Sequence, residues 1–167
     1  MDNLKIRQIT EKDLDKLAEI YTEVYRVFDV GEKWTTNKAK ILFEYWLKTQ
    51  PDLCYCAELG GKLIGAFVVG IKPWWDGNQL VDGEIFVHPD YHKKGIGTEL
   101  SKTVFRVALQ KYQVVSWVAT TFKKKEFPLS WYQRLGFKED GNWILITGDV
   151  KKALEILEEN SLNENPV

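Results

Sequence analysis

The chain of 167 residues contains one stretch with a legible chemistry, Gly83 to Ser101, GEIFVHPDYHKKGIGTELS. Glu84–His88 reads as a strand, Pro89 opens a turn, and a basic loop follows. Gly95 and Gly97 then carry the chain tightly into a helix. A helix start leaves several backbone N–H groups without partners, and the helix dipole places partial positive charge on them. The donors from Lys94 through Gly95, Ile96 and Gly97 to Thr98, with mobile charge from Lys93 and Lys94, suit a pyrophosphate. The loop lacks the GxxxxGK[ST] pattern, which counts against a nucleotide P-loop.

Other residues that could do chemistry are few. Asp82 and Glu84 flank Gly83 on the strand that feeds the loop. Without a bulge, Asp82, Glu84 and Phe86 share a face; a bulge at Gly83 puts Asp82 on the other face. His88 and His92 have no third partner at a metal-ligand spacing, so no metal is expected. Cys54 and Cys56 lie at i, i+2 in a strand and read as two buried thiols, with neither a CxxC pair nor a disulfide framework. That cysteine usage fits a reducing cytoplasm. Lys123, Lys124 and Lys125 form a short basic run.

The elements that must position these groups follow from periodicity. Leu4–Ile9 is a strand, and Thr10 with Asp13 forms a capping box. Leu14, Leu17, Ala18, Tyr21, Tyr25 and Phe28 mark one face of a helix that stops near Asp29–Gly31. A second helix runs from Thr35-Thr36 to about Thr49, with Ile41, Leu42, Phe43, Tyr45, Trp46 and Leu47 covering more than one face. Leu53–Leu59 and Lys62–Ile71 form a hairpin about Gly60-Gly61, Lys72–Gln79 a turn, and Leu80–His88 a strand interrupted at Gly83. After the helix Gly95–Lys111, the β-branched run Val114–Thr120 reads as a central strand. A short helix from Pro128 ends at Gly136, and Phe137–Asp140 with Trp143–Thr147 reads as a last hairpin. Asp149 then caps an amphipathic helix. The crossover through Gly95–Lys111 joins two parallel strands in an otherwise antiparallel sheet, a βαβ unit with the anion site at its helix start.

Twenty-three basic and 24 acidic residues leave a net charge of −1, which argues against a nucleic-acid surface. No apolar run approaches a membrane span and no signal-peptide pattern opens the chain, so a cytoplasmic protein without a membrane partner is expected. Residues 1–160 read as one domain, with 161–167 as a flexible tail.

The run V-x-P-x-x-x-x-x-G-x-G, here Val87, Pro89, Gly95 and Gly97, closely resembles the acetyl-CoA-binding motif of the Gcn5-related N-acetyltransferases, the GNAT superfamily. The later W-Y-Q-R-L-G-F, Trp131 to Phe137, resembles that superfamily's second signature. His92 and Lys93 depart from the usual loop opening, and Lys125 and Pro128 from the usual residues before the second signature. A fainter resemblance, carried by Pro128 and the Trp75-Asp76-Gly77 turn, is to small-amine and aminoglycoside N-acetyltransferases.

The resemblance implies an α/β fold of the α+β kind: a mixed, mostly antiparallel sheet of about seven strands with a splayed parallel pair, helices on both faces, and an extra C-terminal helix at 148–160. It implies direct acetyl transfer from acetyl-CoA to a primary amine, of a small molecule or else of a protein N-terminus or lysine; the alternative is a non-catalytic acetyl-CoA-binding module. Cofactor contacts are expected from Phe86, Val87 and His88, from His92, Lys93, Lys94, Gly95, Ile96, Gly97 and Thr98, and from Lys125. A main-chain N–H near Val87 faces the thioester oxygen. Glu84 is the first candidate for general base, acting through water or directly, with Asp82 the alternative. Tyr132 matches the tyrosine that protonates the leaving thiolate; a phenol with pKa about 10 stays protonated at neutral pH and can do so. The acceptor is expected among Tyr25, Phe28, Glu32, Trp34, Trp74, Trp75 and Asp76, where carboxylates beside aromatic faces suit a cationic amine. A homodimer through the tail helix is a further expectation.

Overall fold

A strand that changes face halfway along organises the sheet. The computed structural model describes residues 3–123 and 125–163, with side chains to residue 158. The chain forms two compact units, the first ending at Phe122 and the second starting at Lys123. The first holds β1 (Leu4–Gln8), α1 (Leu14–Phe28), α2 (Thr36–Thr49), β2 (Cys54–Leu59), β3 (Lys62–Trp74), β4 (Gly77–Val87), α3 (Ile96–Tyr112) and β5 (Ser116–Val118). The second holds α4 (Glu126–Arg134) and α5 (Val150–Asn163).

The five strands lie in sequence order, antiparallel except for the parallel pair β4–β5. Alternation along β3 builds two cores. Ala66 and Val68 join Cys54, Cys56, Leu17, Tyr21 and Phe43 under α1 and α2. Phe67 and Val69 join Ile96, Leu100, Val104 and Ala108 under α3. Both thiols are fully buried and free, and burial pushes Cys54 up to about 12 and Cys56 to about 11.

On β4 the register pairs Glu84 with Val68 but Val81 with Gly70, so Asp82 and Gly83 together oppose Val69. This is a bulge, with Asp82 at φ +53°. A Cβ on Gly83 would lie 2.9 Å from Val69 Cγ2 and 3.2 Å from the Phe67 ring, so glycine is required by space. The bulge reverses parity: Leu80 packs under α3, whereas Phe86, also even-numbered, packs under α1 and α2.

Pairing in the structure differs from the expected elements at several points. The Lys72–Gln79 turn is shorter, because Trp74 pairs with Gly77 and Pro73 with Asn78, leaving only Trp75-Asp76 as the turn. Val114–Thr120 is reduced to β5 at the sheet edge, since its pairing with β4 stops at Val81↔Val118, where the bulge begins. The last hairpin forms its turn, with Asp140 Oδ1 accepting from Asn142 N at 2.9 Å, but no ladder among the described residues. One reason is local: Phe137 N–H, which would open the first strand, donates instead to Tyr132 O at 3.1 Å. The sheet therefore has five strands rather than seven among the described residues. α2 buries a single stripe, Ala39, Phe43 and Trp46, while Ile41 and Tyr45 are 56% and 55% exposed. Of the expected tail, 161–163 belong to α5 and 164–167 lie outside the described residues.

The entry to α1 is held by one buried carboxylate. Asp13 accepts from Thr10 N and Thr10 Oγ1, both at 2.8 Å, and from Arg7 Nη1 and Nη2 at 2.8 and 2.9 Å. Arg7 Nε also reaches Glu58 on β2 at 3.1 Å. The bonds from Arg7 hold Asp13 at about 2, below its usual 3.8. A depressed carboxylate stabilises the fold above its unfolded pKa, and that stabilisation is lost as pH falls through the folded value. Asp13→Ala should lower unfolding free energy by about 2 kcal/mol at pH 7, measured by urea denaturation, with the deficit shrinking from about pH 4 towards pH 2.

Candidate active site

Below the bulge, the far edge of β4 is open. Its ladder with β5 covers only Gln79–Val81, while β3 pairs the other edge as far as Val87. Glu84–Val87 thus has a strand on one side and, among the described residues, none on the other. Immediately beyond, a 3-10 turn Pro89–Tyr91 and the loop at His92–Lys94 lead to Gly95, the N-cap of α3 at φ +72°. The first bond of α3 runs from Glu99 N to Gly95 O at 3.1 Å. The N–H groups of Ile96, Gly97 and Thr98 precede it and have no partner within the helix. Pantetheine-like amides fit an open strand edge, and a pyrophosphate fits the helix start beside it.

The loop side chains turn back on the loop itself. His92 Nε2 lies 2.7 Å from Val87 O. His88 Nδ1 accepts from Asp90 N at 3.3 Å. Lys94 donates to Asp90 O at 3.0 Å and stands 5.0 Å over the Tyr91 ring. Lys93 adopts φ +59° and makes no ion pair among the described residues.

Glu84 emerges from the bulge beneath α1. Tyr21 Oη donates to its Oε2 at 2.9 Å, and Tyr25 Oη to the same oxygen at 3.4 Å. Tyr21 is completely buried, with the rings of Tyr25, Trp34, Phe43 and Phe86 at 4.6, 5.1, 5.4 and 5.1 Å. Trp34 Nε1 in turn donates to Glu32 Oε2 at 2.7 Å. Desolvation raises Glu84 to about 7; the two phenols pull it down, and the Glu32 charge pushes it further up. A carboxylate titrating there is half-ionised at neutral pH, the condition for accepting and releasing a proton. Asp82, within the bulge, is exposed.

In the second unit, the stretch from Trp131 to Phe137 ends α4 in a Schellman cap. Phe137 N donates to Tyr132 O at 3.1 Å and Gly136 N to Gln133 O at 3.0 Å. Gly136 takes φ +90°, and the Phe137 ring returns to within 5.2 Å of Tyr132, the apolar contact this cap usually carries. Tyr132 is buried against Trp131 and Phe137. Lys125 is the N-cap residue of α4, and Lys124 lies outside the described residues.

Comparison with known families matches residues 14–137, more than half of the chain, to the acetyltransferase (GNAT) family. The chain belongs to the GNAT family. An uncharacterized N-acetyltransferase of Methanocaldococcus jannaschii is 33% identical over 140 residues, 80% of this chain and 60% of that protein, so the chain spans less than two thirds of that relative. A thialysine N-epsilon-acetyltransferase of Mus musculus is 26% identical over 120 residues, 66% of this chain and 71% of that one. Among solved structures, a possible acetyltransferase from Clostridium difficile 630 superposes with a TM-score of 0.73 at 16% identity, over 89% of this chain and 99% of the other. An aminoglycoside N-acetyltransferase, solved in complex with CoA, gives 0.67 at 21% identity, over 87% and 95%.

Within this GNAT chain the expected acceptor residues divide. Tyr25, Glu32 and Trp34 gather around Glu84, and Phe28 packs on Phe122 at 5.7 Å. Trp74, Trp75 and Asp76 sit at the β3–β4 turn, with Trp75 87% exposed and Trp74 under the Lys72 ammonium at 4.2 Å. Glu84 lies eight positions beyond Asp76 along β4, on the order of 25 Å at the rise of a strand. Tyr21 went unassigned in the sequence, where it reads as one more apolar position of α1. Its signal is the i, i+4 pair with Tyr25, which sets two phenols on one helix face. Among the described residues no three His, Cys, Asp or Glu side chains gather to hold a metal ion, and no helix is long and apolar enough to cross a membrane.

Burial of Glu84 sets a pH signature. A carboxylate raised from 4.5 to about 7 is protonated in both folded and unfolded chains below pH 4.5. As pH rises the unfolded chain ionises first, so the destabilisation grows and is complete above about pH 7. Glu84→Gln should therefore be more stable than wild type at pH 8, by on the order of 2–3 kcal/mol, and equal to it at pH 4. Thermal unfolding at the two pH values checks this.

Proposed function

We propose that the protein transfers an acetyl group from acetyl-CoA directly to a primary amine of a small molecule. The observation that carries this reading is a carboxylate poised near pH 7, lifted by a bulge into an aromatic recess beside an open strand edge. That edge runs straight into a helix start suited to a pyrophosphate. Two proteins the chain resembles are named for thialysine and aminoglycoside acetylation, which supports a small amine as acceptor.

In this reading Glu84 takes a proton from the acceptor ammonium, directly or through one water. The neutral nitrogen attacks the thioester carbonyl carbon, a C–N bond forms, the C–S bond breaks, and the sulfur leaves with the electron pair. The acylated nitrogen then sheds its second proton to water, which restores the proton that the thiolate takes from its acid. The Val87 N–H on the open edge is proposed to face the carbonyl oxygen. Tyr132, by its place in the family motif, is proposed to protonate the departing thiolate. Tyr25, Phe28, Glu32 and Trp34 are proposed to line the acceptor site, where aromatic faces and carboxylates favour a cation. Ile96, Gly97 and Thr98 N–H groups, with Lys93 and Lys94 nearby, are proposed to hold the pyrophosphate.

A free-thiol release assay with acetyl-CoA and a panel including thialysine, lysine, 1,4-diaminobutane and kanamycin tests the activity. Turnover of at least one amine is expected; acetyl-CoA binding without thiol release from any of them would point to a non-catalytic module. For an amine that turns over, Glu84→Gln should lower kcat/KM by about 10²–10⁴. The wild-type rate should rise through an acid limb near pH 7, because ionised Glu84 is the active form. Tyr132→Phe should lower kcat more than it weakens acetyl-CoA binding, the two being separated by steady-state kinetics and calorimetry.

A further inference from the structure

We propose that Tyr21 is the positioning residue for Glu84: its phenol holds Oε2 and leaves Oε1 as the oxygen that takes the acceptor's proton. The proposal rests on Glu84 being the base. Its geometry is over-determined. The Tyr21 ring is fully buried and touched by rings from α1, the segment before α2, α2 itself and β4, through Tyr25, Trp34, Phe43 and Phe86. A ring gripped on so many sides cannot swing its hydroxyl away, so the 2.9 Å bond holds Oε2 in place. Tyr25, one helical turn later, adds a second, longer bond of 3.4 Å to the same atom. Oε1 accepts no hydrogen bond among the described residues.

Holding one oxygen does two things. It removes the rotational freedom of the base, so that proton transfer starts from an aligned geometry. It also favours the ionised carboxylate against the desolvation that opposes it. Burial and the nearby Glu84 charge push the Tyr21 phenol far above its usual range, so it remains a donor at every working pH. The titratable groups facing Glu84 are Tyr21 and Tyr25 from α1, Glu32 from the segment after α1, and Asp82 from β4 itself. From the other elements, β3 sets Val68 opposite Glu84 and α2 packs Phe43 on the Tyr21 ring, and neither titrates.

The test is a carbon-13 NMR titration of the glutamate carboxyls in the full chain, with the Glu84 resonance assigned by its loss in Glu84→Gln. Tyr21→Phe keeps the ring and deletes only the donor; its Glu84 midpoint should move up by about one pH unit. Tyr25→Phe should move it up by less, because its bond is longer. The acid limb of thiol release with acetyl-CoA and thialysine should follow the same shifts. A midpoint that stays put or falls in folded Tyr21→Phe overturns the proposal. Should that variant not fold, 3-fluorotyrosine is incorporated into Tyr25→Phe, leaving Tyr21 as the more acidic donor to Glu84. The midpoint should then fall relative to unlabelled Tyr25→Phe, and an unmoved midpoint overturns the proposal. The underlying reading fails separately: full thiol release by Glu84→Gln overturns the base assignment whatever the titration shows, and the positioning role with it.

Discussion

The bulge at Asp82–Gly83 is the constraint on which the rest of the site depends. One additional residue in β4 shifts the side-chain parity, and the consequences are all local. Leu80 stays in the α3 core while Glu84 and Phe86 turn to the α1 side. Pairing with β5 ends at the residue before the bulge, so the edge below it opens. A single irregularity both turns the carboxylate to the α1 side and coincides with the end of the β4–β5 ladder. The packing of Gly83 against Val69 and Phe67 explains why no larger residue could sit there without moving β3.

Glu84 is held at an electrostatic cost. Burial destabilises its ionised form, and only two phenol hydrogen bonds oppose that. No cation pairs with it among the described residues, in contrast to Asp13, whose Arg7 partner drives its pKa the opposite way. Buried Asp13 and half-buried Glu84 thus show two outcomes of desolvation. The paired one anchors β1 to α1 and stays ionised; the unpaired one sits at the edge of ionisation, where a proton can be exchanged.

The second GNAT signature has a structural reason independent of chemistry. Leu135-Gly136-Phe137 is the end of a helix written in sequence: a left-handed glycine and an aromatic that folds back onto Tyr132. The same bonds divert Phe137 from the strand its apolar character suggests. The run Trp143–Ile146 likewise reads as a strand and forms no ladder among the described residues; its side chains are 69–84% exposed. Strand propensity describes fit to a pleated, half-buried surface, and without a paired edge it decides nothing.

Local chemistry was legible in the sequence by itself. The Thr10–Asp13 cap, the Thr35 and Asp149 caps, the Gly60-Gly61 hairpin, the glycine-led helix start at Gly95 and the α4 stop at Gly136 all follow from residues within a few positions of each other. The two motifs also named the family, and Glu84 stood out as a carboxylate beside a strand glycine. What the sequence left open was which way that carboxylate faces, because one residue of register reverses every side chain after it. Only the tertiary structure settled that, and only it brought Tyr21, sixty-three positions away, onto Glu84. It likewise set Trp74–Asp76 far along the strand from Glu84. Caps and turns are closed by neighbours in the chain; a buried carboxylate takes its pKa from whatever the fold packs around it, and no local pattern encodes that.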